Sequence, residues 1–177
     1  MVITLYADRR HPDIADIAGR LARALVSRDV TAMVALVGPP GAPPQSMAPD
    51  APSRISIIED GLPADVAAFL DDLRARYRLT VIALAGPPTE QVLEVLDASE
   101  RVLLLSDPSV ASLRATQRML KLCKSLGYGA EKVAILLHGF ADDTTLAPAE
   151  AAAVLKREIF GVVPGEGADE GRYESSY

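Results

Sequence analysis

A chain of 177 residues is long enough for one α/β domain and short for two. With 49% hydrophobic and 24% charged residues it can build a core, and wholesale disorder is not expected. A net charge of −6, one cysteine (Cys123) and two histidines (His11 and His138) exclude broad phosphate-backbone binding, a disulfide scaffold and a Cys/His zinc site. No nucleic-acid partner, no metal and no cofactor is therefore expected. Asp8, Arg9 and Arg10 interrupt the first apolar run, which argues against a signal peptide. No apolar stretch approaches the roughly 20 residues of a membrane span, so the expectation is a soluble cytoplasmic domain without an integral membrane segment.

In chain order, the apolar run 2–6 predicts a buried strand. Residues 13–26 place Ile14, Ile17, Ala18, Leu21, Ala24 and Leu25 at helical spacing, with Pro12 suited to the first turn. Residues 31–37 predict a second buried strand. The stretch 38–52 then holds two glycines and six prolines and continues neither regular structure. A short strand is expected at 55–58 and a helix at 63–76, with Val66, Phe69, Leu70 and Leu73 on one face. A strand at 79–85 stops at Gly86-Pro87-Pro88, and a short helix at 89–96 follows. After a strand at 101–105, Asp107 is the expected N-cap of a helix with Pro108 at its first position, running to Leu126 and stopping at Gly127. A strand at 132–137, a helix at 147–157 and a last strand at 159–163 complete the pattern. Alternating strands and helices with continuously apolar strands predict a mostly parallel sheet covered by helices on both faces, a three-layer α/β/α domain. Its expected extent is 1–164, with a Pro-rich loop at 38–54 and a flexible polar tail at 165–177.

Several motifs carry less chemistry than they suggest. Leu136-Leu137-His138-Gly139-Phe140 has the look of a hydrolase oxyanion segment. No Gly-x-Ser-x-Gly follows, however, and no later histidine completes a triad. The glycine-rich run from Gly165 to Gly171 has no helix after it, and its three acidic residues would repel phosphate. Asp142 and Asp143 read as a solvated turn, with no third metal ligand nearby in sequence. On the helix near 108–126, Arg114, Arg118, Lys121 and Lys124 fall on one side. Val110, Leu113, Leu120, Cys123 and Leu126 fall on the other. An ordinary solvated face accounts for the basic side, and the functional alternative is a docking face for an acidic partner or a second subunit. Cys123 reads as a small core residue.

Two segments carry a family resemblance. Residues 77–88, Tyr-Arg-Leu-Thr-Val-Ile-Ala-Leu-Ala-Gly-Pro-Pro, resemble the Tyr-Asp-x-Val-Ile-Ile-Asp-x-Pro-Pro stretch of MinD/ParA-type P-loop ATPases. Residues 93–114, which include Leu103-Leu104-Leu105-Ser106-Asp107-Pro108 and end at Ser112-Leu113-Arg114, resemble that family's following strand and helix. Residues 132–140 stand where it has Lys-x-x-Leu-Val-Leu-Asn-Arg. Residues 156–164, ending Ile-Phe-Gly-Val-Val-Pro, resemble its closing Ile-x-Gly-x-Ile-Pro. The CpaE/TadZ proteins of Tad-type pilus assembly are the most similar branch. The resemblance implies a P-loop NTPase-like fold of the MinD/ParA type over 1–165, and it is most specific over 77–164.

The resemblance also implies departures. Where the family has the P-loop Lys-Gly-Gly-Val-Gly-Lys-Thr, this chain reads Asp8-Arg9-Arg10-His11-Pro12-Asp13, without glycine or lysine. The Asp-x-Asp after the second strand becomes Leu36-Val37-Gly38. The acidic residue of Ile-Ile-Asp becomes Ala83, and the adenine-contacting Asn becomes His138. Taken together these imply a degenerate nucleotide site and a non-catalytic, pseudo-ATPase scaffold or positioning module for pilus or secretion-machine assembly. Its expected partners are proteins, in a homodimer or a heterodimer with an active relative. Arg9, Arg10, Arg114, Arg118 and Lys121 are the candidate interface cations. The alternative is a small-molecule-binding protein or enzyme on a flavodoxin-like sheet. Its candidates beyond the strand ends are Asp8, Arg9, His11, Ser106, Asp107 and His138.

Overall fold

In the computed structural model the described residues are 1–9, 13–25, 32–37, 55–58, 62–139 and 146–164, with backbone alone for 32–37 and 55–58. The expected Pro-rich loop and polar tail, Asp142, Asp143, and the loop residues Arg10, His11 and Pro12 lie outside them. The described chain falls into two compact units, 1–103 and 104–177.

In the first unit, β1 (Val2–Ala7) is buried along its whole length. Its six residues alternate between two sheet faces, so continuous burial requires cover on both. It pairs in parallel with β4 (Leu79–Ala85), from Val2 opposite Thr80 to Ala7 opposite Ala85. β2 (Ala32–Val37) pairs in parallel with β4 on one side and with β3 (Ile55–Ile58) on the other. Helix α1 (Ile14–Leu25) buries Ile14, Ala15, Ile17, Ala18, Gly19 and Ala22 and packs on β1, β2 and β4. Its solvent face carries the one-turn ion pair Asp16–Arg20 at 2.7 Å.

Helix α2 (Val66–Arg76) starts later than the composition suggests. Asp65 caps it by accepting from the Ala68 backbone N–H, so Pro63 stands two residues before the cap. Helix α3 (Glu90–Ala98) is capped by the hydroxyl of Thr89 and packs against α2 and β1. Ser99 closes it inside the core, donating to Val95 O at 2.7 Å and meeting Thr4 of β1 at 2.7 Å.

The strand order within the first unit is β3-β2-β4-β1, and β5 (Arg101–Ser106) spans the boundary between the units. In the second unit, helix α4 (Val110–Ser125), strand β6 (Val133–His138) and helix α5 (Pro148–Leu155) share a core of Leu113, Ile135, Leu137, Ala151 and Leu155. β7 (Gly161–Val163) pairs in parallel with β6, Leu136 opposite Gly161 and His138 opposite Val163. Every pairing whose register is described is parallel, as the continuous apolar strands require.

The apolar face of α4 is rotated from its expected position. The buried residues are Ser112, Leu113, Ala115, Thr116, Met119 and Cys123, while Val110 is 65% and Leu126 43% exposed. Gly127 takes a φ of +81° and ends the helix. Its N–H reaches Lys124 O and that of Tyr128 reaches Cys123 O, satisfying carbonyls that the helix leaves unpaired.

Candidate functional site at the ends of the parallel strands

In a parallel sheet the loops after the carboxyl ends of the strands are where ligands and partners meet polar groups. In the first unit, β1 delivers Asp8, half-buried, and Arg9, exposed. Asp13 stands at the entry to α1, where its carbonyl accepts from Ile17 N–H at 2.9 Å. Arg10, His11 and Pro12, expected between them, lie outside the described residues, as does Gly38 after β2.

Ala83 is 2% exposed and sits inside β4, opposite Leu5, two residues short of the strand's end. The position level with the end of β1 is Ala85, opposite Ala7. Gly86 follows at a φ of +132°, which only glycine adopts without strain. Its N–H donates to Ala7 O at 2.9 Å and its carbonyl accepts from the Tyr6 hydroxyl at 2.8 Å. The reading of residues one by one passed over Tyr6. Its signal was an aromatic hydroxyl at the end of a strand otherwise too apolar to satisfy one.

In the second unit, β5 ends at Ser106, fully buried, and a hydroxyl ladder leads into α4. Ser106 Oγ lies 3.3 Å from Ser112 Oγ, which accepts from Asp107 N–H at 3.0 Å. The N-cap is Ser109, not Asp107: Ser109 Oγ accepts from Ser112 N–H at 3.1 Å. Asp107 holds the turn one step earlier, its Oδ1 accepting from Ser109 N–H at 2.8 Å. His138 ends β6 and is 7% exposed, and Gly139 after it turns at a φ of +72° and donates to Val163 O. Arg114, Arg118 and Lys121 are exposed on α4. Among the described residues no group of three or more His, Cys, Asp or Glu side chains could hold a metal. Among the described residues no helix is long and apolar enough to cross a membrane.

The described side chains after β1 are two carboxylates and a guanidinium, with no glycine and no lysine to wrap or neutralise a nucleotide's phosphates.

No protein-family model matches the chain, and no curated protein sequence matches it. Solved structures do. A ParA family ATPase from Chlorobium tepidum TLS superposes with a TM-score of 0.74 at 17% identity, covering 92% of this chain and 83% of that one. The MinC:MinD cell division protein complex of Aquifex aeolicus gives 0.72 at 11% identity, over 94% and 82%. The septum site-determining protein MinD of Pyrococcus horikoshii OT3, complexed with Mg-ADP, gives 0.67 at 12% identity, over 92% and 80%. The fold is therefore the three-layer α/β P-loop type of MinD and ParA. The expectation that the chain is not an enzyme is corrected by the same comparison. Solved neighbours such as the ParA family ATPase and the cell division ATPase MinD of Pyrococcus furiosus are ATPases, which points to an enzyme. The inference of lost hydrolysis leaned on Arg10, His11, Pro12 and Gly38, which lie outside the described residues. It also leaned on Ala83, which lies opposite Leu5 inside β4.

Proposed function

We propose that the chain is a positioning module on a MinD/ParA-type ATPase fold, which pairs with a second copy or a related ATPase and holds a protein partner in place. The observation that carries this reading is the superposition on MinD and ParA proteins over more than nine-tenths of the chain. One of those neighbours is itself a complex of MinD with a protein, MinC. The finer assignment, to assembly of a pilus or secretion machine, is supported by the likeness of residues 77–164 to the CpaE/TadZ branch. Within it, Arg9 at the end of β1 and its sequence neighbour Arg10 are the cations offered to the pairing face, since guanidinium groups suit such contacts. Asp8 and Asp13 flank the end of β1 where that face would form.

Two measurements test it together. Light scattering of the purified chain, with and without magnesium ATP, should find a dimer that Arg9→Glu/Arg10→Glu weakens. A fluorescent fusion in the native cell should concentrate at discrete foci. A monomer in every condition together with diffuse fluorescence would sink the proposal. ATP turnover recorded in the same samples reports directly on enzymatic activity.

A further inference from the structure

Helix α4 carries Arg114, Arg118, Lys121 and Lys124 and no carboxylate at all. The whole chain has a net charge of −6, so the remaining residues carry a net −10. Charge is therefore strongly segregated onto one helix. The four cations are all exposed, and at 100° per residue they share a single stripe with Val110 and Gln117, opposite the buried face. The stripe runs about 15 Å from Arg114 to Lys124 at 1.5 Å per residue.

The other helices treat their cations differently. On α1, Arg20 and Arg23 both reach Asp16. On α2, Arg74 pairs with Asp71 and Arg76 with Asp72. Among the described residues, the side chains of Arg114, Lys121 and Lys124 form no ion pair or hydrogen bond. The helix packed beside α4 offers them little, because Glu150 of α5 is engaged at its own N-terminus, accepting from Ala147 N–H at 2.8 Å. Gln117 is committed to α5, donating to Val154 O at 2.8 Å. Four like charges within three turns repel one another, a modest local cost that a partner's carboxylates would reverse.

We infer that this stripe is a docking surface for an acidic helical segment of a partner protein, whose carboxylates recur at helical spacing and which covers exposed Val110 at one end. Charge complementarity selects this occupant over a nucleic acid. A duplex presents a phosphate on every side, and the net −10 of the remaining residues repels all of those that the short stripe does not neutralise. A helical segment presents a few carboxylates on one face and meets only the stripe. The inference deepens the positioning role by naming the chemistry of the partner, but it rests on the charges of α4 and not on dimerisation.

The test uses the full chain and two fluorescent probes in anisotropy titrations. One is a 20-residue (~20, a length that spans the stripe) helical peptide with glutamates along one face, and the other is a DNA duplex of similar length. The peptide should bind with an affinity that falls as salt rises. Arg114→Glu/Lys121→Glu should weaken it by about tenfold or more, and Arg114→Gln/Lys121→Gln by less. Circular dichroism and the light-scattering mass should be unchanged in both variants, which separates this surface from the pairing face. Absence of peptide binding, binding indifferent to charge reversal, or tighter binding of the duplex through the same residues would each overturn the inference.

Discussion

The hydroxyl of Tyr6 donates to the carbonyl of Gly86 at 2.8 Å, while the Gly86 N–H returns a bond to Ala7 O. The last residues of β1 and the turn after β4 are thus clasped from both sides. This fixes the starting points of the two loops that leave the sheet there. Tyr6→Phe leaves the ring in place and removes the donor, and should cost about 1 kcal/mol in urea denaturation. Gly86→Ala meets no atom within 4 Å, so its cost is backbone strain at a φ of +132°, about 1–3 kcal/mol. Equal midpoints for wild type and Gly86→Ala would show that the turn relaxes and that the clasp does not set it.

Ser109, and not Asp107, satisfies the first turn of α4. Ser109→Ala should destabilise the chain by about 1 kcal/mol, with Ser109→Asp close to neutral because a carboxylate can make the same bond. Asp107→Ala removes the bond to Ser109 N–H and should cost less, since that amide precedes the helix. Thermal melts of the three variants give the ranking. Asp107→Ala proving the worst of the three would return the cap to Asp107.

That cap illustrates what a single sequence carries. Asp-Pro is a strong start signal, and Asp107 and Ser109 are chemically able to do the same work. Only the φ and ψ of the turn decide between them. Strand positions were legible because runs such as Val81-Ile82-Ala83-Leu84 have no other stable home than a buried parallel sheet. The functional face was less legible. Ala83, placed by its apolar neighbours where the resembling family has an acid, lies opposite Leu5 inside β4, and Ala85 is level with Ala7 at the end of β1. Both lie on one sheet face, so an apolar pattern alone does not distinguish the two positions. On α4 the basic stripe was read correctly as exposed, and the error was in the apolar side. Val110 and Leu126 were assigned to the core by type, but the helix buries Ser112, Ala115 and Thr116 instead.

Cys123 lies on that buried face. Removal from water pushes its thiol above the ordinary range, and a backbone hydrogen bond and the charges of Lys132 and Arg157 only partly oppose this. The folded chain therefore holds the proton more tightly than the unfolded chain. Its stabilising contribution is complete below the ordinary thiol value of about 8.5 and is lost as the pH rises from there through the raised folded value. Cys123→Ala should flatten this alkaline fall in urea stability above about pH 8.5. The wild-type thiol should react with a disulfide reagent far more slowly than in urea. Reaction at the unfolded rate in native buffer would contradict the burial.

Thr4 and Thr80 are both buried on the same sheet face, two register steps apart, and they differ in one respect. Ser99 spends its own proton on Val95 O, so the 2.7 Å contact between Thr4 and Ser99 must be donated by Thr4. Thr80 Oγ1 has no partner among the described residues. A hydroxyl that loses water and gains nothing opposes folding, whereas valine has the same shape without that cost. Thr80→Val should therefore stabilise the chain by about 1 kcal/mol, and Thr4→Val should destabilise it by a similar amount. The urea midpoints should move in opposite directions with unchanged slopes, which assigns both effects to the folded state. A lower midpoint for Thr80→Val would mean that the Thr80 hydroxyl is bonded after all, with an ordered water as its partner.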